Sequence, residues 1–344
     1  MDEIEIIKSG YREIFGNDSI QIVQLPLSGS DRKYFRITSP GRSVICTFNP
    51  VPEENNAFVE FSRHFFRKHL PVPEIYGYLP EKHTYFQSDL GDLNLFTWLR
   101  NQKEEKHFGQ NTIDLYRKIL DKLILFQTKG IEGLNLDLCY PHRSFDRQSM
   151  MWDMNYFKYM LLKLLGIPFN ELRLEHDFNV MADYLLEAGQ DYFLYRDFQS
   201  ANIMIVGSDP WFIDYQGGRK GSAQYDIASL LFDAKVPMPQ SARDDLFDYY
   251  CDRFCSVTGT DKNQFISHYN GFSMIRLMQA MGTFGFRGLY ENKPTFTESL
   301  VPGLNLLLGV IQKTEKNLNL PELYQAVRMV PGSERYRQLS KSEK

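Results

Sequence analysis

Between residues 194 and 214 the chain reads Leu-Tyr-Arg-Asp-Phe-Gln-Ser-Ala-Asn-Ile-Met-Ile-Val-Gly-Ser-Asp-Pro-Trp-Phe-Ile-Asp, and no other stretch limits the possible folds as much. Two short apolar runs, 203–206 and 211–213, flank Gly207-Ser208-Asp209-Pro210, a turn composition. Folded as a hairpin, the runs bring Asn202, just before the first strand, beside Asp214, just after the second. Asp197 lies upstream, on the loop leading in from the apolar run 192–195. Oxygen ligands at one hairpin end suit Mg²⁺, a hard cation that keeps several waters and binds one or two carboxylates plus substrate phosphates. A further carboxylate nearby can take or orient a hydroxyl proton. Asp197 is thus the candidate catalytic base, and Asn202 and Asp214 the candidate metal ligands, of a phosphoryl-transfer site.

The Asp-to-Asn spacing alone means little, since Asp89 and Asn94 repeat it. Loop caps at Asp197 and Asn202, with Asp214 opening a turn at Gly217-Gly218, would account for the same residues. The order strand, loop, Asp, Asn, strand, turn, strand, Asp discriminates, because it alone places the three side chains at one end of a hairpin.

With 344 residues, 43% of them hydrophobic, the chain can bury a sizeable core and suits two lobes better than one. A net charge of −4 argues against a nucleic-acid partner, which selects a basic field. No apolar run reaches the roughly 18 residues of a membrane-spanning helix. The acidic start Met1-Asp2-Glu3-Ile4-Glu5 is unlike a signal peptide. Cys46, Cys139, Cys251 and Cys255 lack paired metal-ligand spacing. Cys251 and Cys255, one helical turn apart, read as packing. The expected compartment is the reducing cytoplasm, with no obligate protein partner evident.

Along the chain, residues 4–15 read as a short amphipathic helix stopping near Gly16-Asn17. Strands are expected at 20–27, 34–38 and 43–48. A helix follows at 53–69, with Phe58, Phe61, Phe65 and Phe66 on its apolar face, and then strands at 75–79 and 84–87. This five-strand, one-helix order predicts a nucleotide-binding small lobe over residues 1–88, with a hinge at 89–92. Residues 93–335 form a mainly helical catalytic and acceptor-binding lobe, with helices expected at 93–102, 112–129, 152–165, 177–189, 225–234, 244–257, 264–290, 301–317 and 320–330. The polar residues from 333 onward read as frayed, and 336–344 as a tail.

On the nucleotide side, Ser28-Gly29-Ser30 lies between two predicted strands, where backbone N–H groups can approach phosphates. A protein kinase carries a phosphate-pairing lysine near the position of Thr47, but the third strand here reads Val44-Ile45-Cys46-Thr47. Either another cation substitutes, Arg32, Lys33 and Arg36 being nearest in sequence, or metal and backbone carry the phosphates. Ser28, Gly29, Ser30, Arg32 and Asp89 are the candidate nucleotide-binding residues.

These residues resemble the aminoglycoside-phosphotransferase-like kinases, relatives in fold of the protein kinases. Within that group the chain is most similar to the anomeric sugar kinases acting on N-acetylmuramate and N-acetylglucosamine. Nearly the whole chain takes part. Asp31-Arg32-Lys33-Tyr34-Phe35-Arg36 resembles the small-lobe loop and strand, and Asp89-Leu90-Gly91-Asp92 the hinge. Tyr195-Arg196-Asp197-Phe198-Gln199-Ser200-Ala201-Asn202 resembles the catalytic loop, and Ile213-Asp214-Tyr215-Gln216 the metal loop. Two later blocks are Tyr225 to Leu231 and Gly282 to Arg287. The resemblance implies a bilobal protein-kinase-like α+β fold, Mg²⁺ and ATP as cofactors, and transfer to the C1 hydroxyl of an amino sugar, as in peptidoglycan recycling. It also implies a structural Asp226 that accepts hydrogen bonds from the catalytic-loop backbone; a helix N-cap is the alternative. Three departures bear on the substrate: Tyr195 and Gln199 stand where histidines are usual, and Gln216-Gly217-Gly218-Arg219 is less acidic. Tyr195 is expected to support the loop by packing.

Trp152 and Asn155 are expected on one face of an acceptor pocket, and Arg276 and Arg287 on another. The two arginines lie about three turns apart along a predicted helix, on a similar face. Ordinary core packing and surface solvation are the bland readings of such residues. Other acceptors, such as an aminoglycoside, a choline-like alcohol or a nucleoside sugar, remain open, as do GTP in place of ATP and a nucleotide-binding pseudokinase. A protein kinase is disfavoured, because residues 215–225 between Asp214 and Asp226 leave no room for an activation loop ending in Ala-Pro-Glu.

Overall fold

A computed structural model describes residues 2–16, 19–26, 32–102 and 108–342; Ser28, Gly29 and Ser30 lie outside these. Helix α1 (Glu3–Phe15) carries Glu3 and Glu5 in its first turn, complementing the helix dipole, and stops at Gly16 with φ 68°, a left-handed cap that glycine adopts without strain. Strands β1 (Gln21–Gln24), β2 (Lys33–Ser39) and β3 (Arg42–Phe48) lead to helix α2 (Pro52–Arg67), which starts on a proline. Strands β4 (Ile75–Leu79) and β5 (Thr84–Ser88) complete an antiparallel sheet in the order β1-β2-β3-β5-β4.

The two-residue period of the strands divides their apolar side chains between two cores. Phe35, Ile37, Val44, Cys46 and Phe86 pack under α1 against Ile7, Tyr11 and Leu79. Tyr85, one residue from Phe86, turns to the opposite face and joins α2 in the large core of the second lobe. On α2, Phe58, Phe61 and Phe65 are buried but Phe66 is 45% exposed. Residue 66 lies one 100° step past Phe65, off the stripe set by positions i, i+3 and i+7, so the expectation that it shares the apolar face is corrected.

Helix α2 is fastened to the second lobe as well as to its own sheet, where Phe58 also stacks on Tyr85 at 5.0 Å. The Phe58 ring stacks on Tyr215 at 5.0 Å and 6°, and the Ser62 and Tyr215 hydroxyls lie 2.6 Å apart. A His64 ring nitrogen is 2.8 Å from the Gly130 carbonyl.

After the hinge come α3 (Leu95–Asn101), capped by Asn94 accepting from Thr97 N at 2.8 Å, and α4 (Gln110–Gln127). Helix α5 (Arg147–Phe157) widens into a π-helical turn at Lys158–Lys163, and α6 (Glu171–Leu186) follows. Strand β6 (Tyr192–Leu194) enters the catalytic loop, and β7 (Ile203–Val206) pairs with β8 (Asp209–Phe212). The predicted hairpin therefore forms, with its tip at Gly207 in a left-handed conformation. Pro210 belongs to the second strand opposite Ile205, whereas its turn-like composition placed it in the connection.

The sequence reading missed β9 (Arg219–Gly221), which pairs antiparallel with β6. Its three residues are too short for any apolar period, and pairing alone makes it a strand. Helices α7 (Gln224–Leu231), α8 (Gln240–Thr258), α9 (Lys262–Phe284), α10 (Pro294–Thr297), α11 (Leu300–Thr314) and α12 (Pro321–Met329) build the rest. Helix α9 runs on as a π-helical turn, Gly285–Tyr290, that crosses the one after α5. A Cβ on Gly285 would lie 2.0 Å from the Met160 carbonyl oxygen, so only glycine permits the crossing. The polar end is a helix and not a frayed strand of chain: α13 (Glu334–Ser342) buries Tyr336, and Arg335 Nη2 donates to the Leu289 carbonyl at 2.8 Å.

Candidate active site

The candidate site residues sit where β6 delivers the chain to the base of the hairpin. Tyr195 and Arg196 donate their backbone N–H groups to the two oxygens of Asp226, at 2.7 and 3.0 Å. Asp226 is the third residue of α7, not its cap, so it accepts from the catalytic-loop backbone as the resemblance implied. Arg196 takes a left-handed φ of 83°, outside the usual range for a long side chain. Its guanidinium holds that conformation through a bidentate pair with Asp153 at 2.5 and 2.7 Å, and donates to the Tyr225 hydroxyl at 2.9 Å. The Phe145 and Tyr225 rings lie 5.0 and 5.1 Å from the cation. Both members of the ion pair are shielded from water, a setting where geometry must be good to offset desolvation.

This anchoring presents Asp197 half-buried at the cleft. Burial and the neighbouring charge of Asp214 raise its carboxyl above the ordinary range, against the pull of Arg276, Arg196 and Arg32. A turn follows, with Asn202 N donating to the Gln199 carbonyl at 2.9 Å. Ser200 is held by Asp233, which accepts from both its N–H and its hydroxyl at 3.2 and 2.5 Å.

Asn202 and Asp214 meet as the hairpin argument requires. The Ile213 N–H donates to the Asn202 carbonyl at 3.2 Å, closing the hairpin end. Asp214 is left-handed, with φ 69°, a conformation that Asp tolerates better than most residues. Asn202 Nδ2 donates to the Asp197 carbonyl at 3.0 Å and to Asp214 Oδ2 at 3.2 Å, which leaves the Asn202 Oδ1 as an acceptor. Asp214 Oδ1 accepts from Arg32 Nη1 at 2.9 Å and from Gln216 Nε2 at 2.8 Å. Among the described residues no group of three or more His, Cys, Asp or Glu side chains could hold a metal. One carboxylate and one amide oxygen are instead the donor set that Mg²⁺ accepts when phosphate oxygens and water complete its shell. The mutual repulsion of Asp197 and Asp214 is also what a cation relieves, so the residues fit Mg²⁺.

The other nominated residues divide. Arg32 lies at the metal loop. Asp89 receives a bidentate pair from Arg36 at 2.7 and 3.0 Å, the Ser43 hydroxyl at 2.6 Å and the Gly91 N–H at 3.0 Å, which ties the segment after β5 to β2 and β3. Arg276 is buried, donating to the Ser229 hydroxyl at 2.8 Å and to Gln279 at 2.9 Å, and its charge reaches Asp197. Arg287 instead pairs with Glu291 at 2.7 Å. Asn155 Nδ2 donates one turn back to the Met151 carbonyl at 2.9 Å. Trp152 is 45% exposed, edge-on to His142 at 6.0 Å. A cavity of about 740 Å³ lies nearby, lined by residues such as Phe96, Arg100, Lys235, Met238 and Glu298, but by none of Asp197, Asn202 and Asp214.

Residues 21–262 match the model of the phosphotransferase enzyme family, a span containing Asp89, Asp197, Asn202, Asp214 and the hairpin. The chain belongs to that family. The phosphotransferase is 25% identical over 292 residues to the N-acetylmuramate/N-acetylglucosamine kinase of Neisseria meningitidis serogroup B, covering 82% of this chain and 83% of the relative. Among solved structures it is similar to the ethanolamine kinase of Plasmodium vivax, with a TM-score of 0.62 and 14% identity over 91% of this chain and 89% of that one. It is also similar to an aminoglycoside phosphotransferase solved with ADP and hygromycin B, with a TM-score of 0.55 and 12% identity over 89% and 98% of the two chains. These likenesses establish the bilobal protein-kinase-like α+β fold.

Several partners within the phosphotransferase site escaped the sequence reading. Asp153, Asp233 and Glu54, whose Oε2 lies 3.5 Å from Arg32 Nε, carry no motif of their own and lie far along the chain from what they hold. Tyr195 exceeds its expected packing role, since its hydroxyl also donates to the Ile213 carbonyl at 2.6 Å.

Proposed function

We propose that this phosphotransferase moves the γ-phosphoryl group of ATP, with Mg²⁺, to a hydroxyl of a small molecule, and that this hydroxyl is the anomeric one of an amino sugar of the N-acetylglucosamine or N-acetylmuramate type. The observation that carries the reaction is the convergence of Asp197, Asn202 and Asp214 at one hairpin end. The acceptor rests on the sugar-kinase relative, which is similar over most of both chains.

Asp197 accepts the proton of the attacking hydroxyl. Its raised carboxyl is a better proton acceptor than a solvated one, and an anomeric hydroxyl is more acidic than an ordinary alcohol. Asn202 and Asp214 would hold Mg²⁺, which when bound neutralises charge on the phosphates. The anchors on Arg196, Ser200 and Tyr195 keep the loop from drifting, and such positioning is most of what phosphoryl transfer asks of a protein. The buried Arg276 beside Asp197 is a cation where an aminoglycoside or choline-like acceptor needs acids, and so favours a neutral or anionic sugar. A reaction drawing on ATP suits the cytoplasm, in the recycling of cell-wall sugars. No helix among the described residues is long and apolar enough to cross a membrane.

The test is ADP release with Mg·ATP across N-acetylglucosamine, N-acetylmuramate, other hexoses, choline and aminoglycosides, with Asp197→Asn as control. Release requiring an amino sugar, with product phosphorus coupled to the anomeric proton, is expected. Release with another acceptor would replace the substrate and keep the mechanism. Nucleotide binding without turnover on any acceptor would favour a pseudokinase.

A further inference from the structure

Strand β3 carries Thr47 in the place of a phosphate-pairing lysine, and Thr47 is fully buried between Tyr34 on β2 and Tyr85 on β5. The cation nearest the metal loop comes from elsewhere. Arg32, the residue immediately before β2, reaches across the cleft with Nη1 2.9 Å from Asp214 Oδ1 and Nε 3.5 Å from Glu54 Oε2. Its side chain is only 12% exposed. Glu54 stands in the first turn of α2 and also accepts from Asn49 Nδ2 at 3.2 Å. That helix is fastened to Tyr215, the neighbour of Asp214, by the stacked Phe58 ring and the Ser62 hydroxyl. Glu54 and Asp214 are therefore held at a set separation by a packed helix, and the long side chain of Arg32 spans it.

We propose that Arg32 is the nucleotide-phosphate cation of this enzyme, supplied from the start of β2, and that it exchanges partners during binding: it neutralises Asp214 in the nucleotide-free protein and releases that carboxylate to the metal as it turns to the phosphates, with Glu54 retained as its pivot. The inference rests on the proposed use of Mg·ATP. Three observations carry it. The Asp214 oxygen that Arg32 occupies belongs to a candidate metal ligand, so guanidinium and metal compete for one acceptor. The other guanidiniums near this site among the described residues are engaged elsewhere: Arg196 is held bidentately by Asp153, Arg219 donates to the Gly217 and Tyr140 carbonyls, and Arg276 donates to Ser229 and Gln279. Finally, an arginine fork matches phosphate oxygens as well as carboxylate oxygens, so the exchange replaces one charge-assisted bond with another.

The exchange predicts opposite effects on two ligands that a merely structural arginine would not separate. In Arg32→Ala, Mn²⁺ alone, read by water-proton relaxation, binds several-fold tighter, because its competitor at Asp214 is gone. The complex of Mg²⁺ with a non-hydrolysable ATP analogue, read by calorimetry, binds about ten- to a hundredfold weaker, the range for losing a hydrogen bond to a charged group. Arg32→Lys retains part of the nucleotide affinity and serves if the alanine variant does not fold. Glu54→Gln weakens the nucleotide complex less than Arg32→Ala does. Unchanged nucleotide affinity in a folded Arg32 variant, or Mn²⁺ binding no tighter than wild type, overturns the exchange while leaving the kinase reading intact. A wild-type protein that binds no nucleotide with Mg²⁺ overturns both.

Discussion

The Tyr195 hydroxyl donates to the carbonyl of Ile213 at 2.6 Å, so the residue two before Asp197 is tied directly to the residue just before Asp214. Tyr195 is fully buried among Phe126, Phe193, Phe198 and Tyr215. Burial and nearby carboxylates push its phenol well above its ordinary range, so it stays a donor at every working pH. Tyr195→Phe keeps the packing and removes the donor to a part-buried carbonyl. It is expected to lower stability by about 1 kcal/mol, the net worth of one such hydrogen bond, with kcat falling more than nucleotide affinity. Chemical denaturation and steady-state kinetics on one preparation check this, and an unaltered kcat would remove the tether from the mechanism.

Asp197→Asn preserves the fold, since the loop is held by Asp226, Asp153 and Asp233 and not by the Asp197 carboxylate. Turnover is expected to drop at least about 100-fold through loss of the positioned base. Nucleotide affinity should survive. A folded variant with near-normal kcat would assign the base elsewhere.

Asp214→Ala removes the one candidate metal-ligand carboxylate and the group to which Arg32 and Gln216 donate. Calorimetry is expected to show Mg-dependent nucleotide binding lost, with little added by further removal of Mg²⁺ by a chelator. Wild-type affinity for Mg·ATP in this variant would mean that the metal is held by other residues.

The buried Asp226 makes stability depend on pH. Its carboxyl is pushed up to about 7 by burial, against the two backbone N–H bonds that favour the anion. A folded value above the unfolded one means the folded state holds the proton more tightly. The contribution is therefore full below the ordinary value of 3.8 and is lost as pH rises through about 7. The stability difference between wild type and Asp226→Asn should shrink from pH 4 to 7.5. A difference that is flat or grows with pH would show the carboxylate buried as an anion.

Arg276 gives the sharpest test of the acceptor side. It is anchored by Ser229 and Gln279 and its charge reaches Asp197. Arg276→Met, of similar length, should raise the KM for an anionic acceptor such as N-acetylmuramate more than for neutral N-acetylglucosamine. Equal effects on both would make Arg276 a support for the loop and not a reader of the acceptor.

The amino-acid sequence by itself determined the hairpin between Asn202 and Asp214, the order of sheet and helices, and the helix limit near Gly16, because each rests on signals within a few residues: a turn between two apolar runs, periodicity, a glycine stop. Asp197, Asn202 and Asp214 lie within one such unit, so their meeting was legible. Only the tertiary structure decided what holds them. The pairs Arg196–Asp153, Ser200–Asp233 and Arg32–Asp214 join residues remote in the chain, and a charged residue carries no local mark of the partner it will find. The same reason hid β9, which is a strand only because β6 lies beside it, and allowed Phe66 to look buried, since the width of a helix's apolar stripe is set by what packs against it.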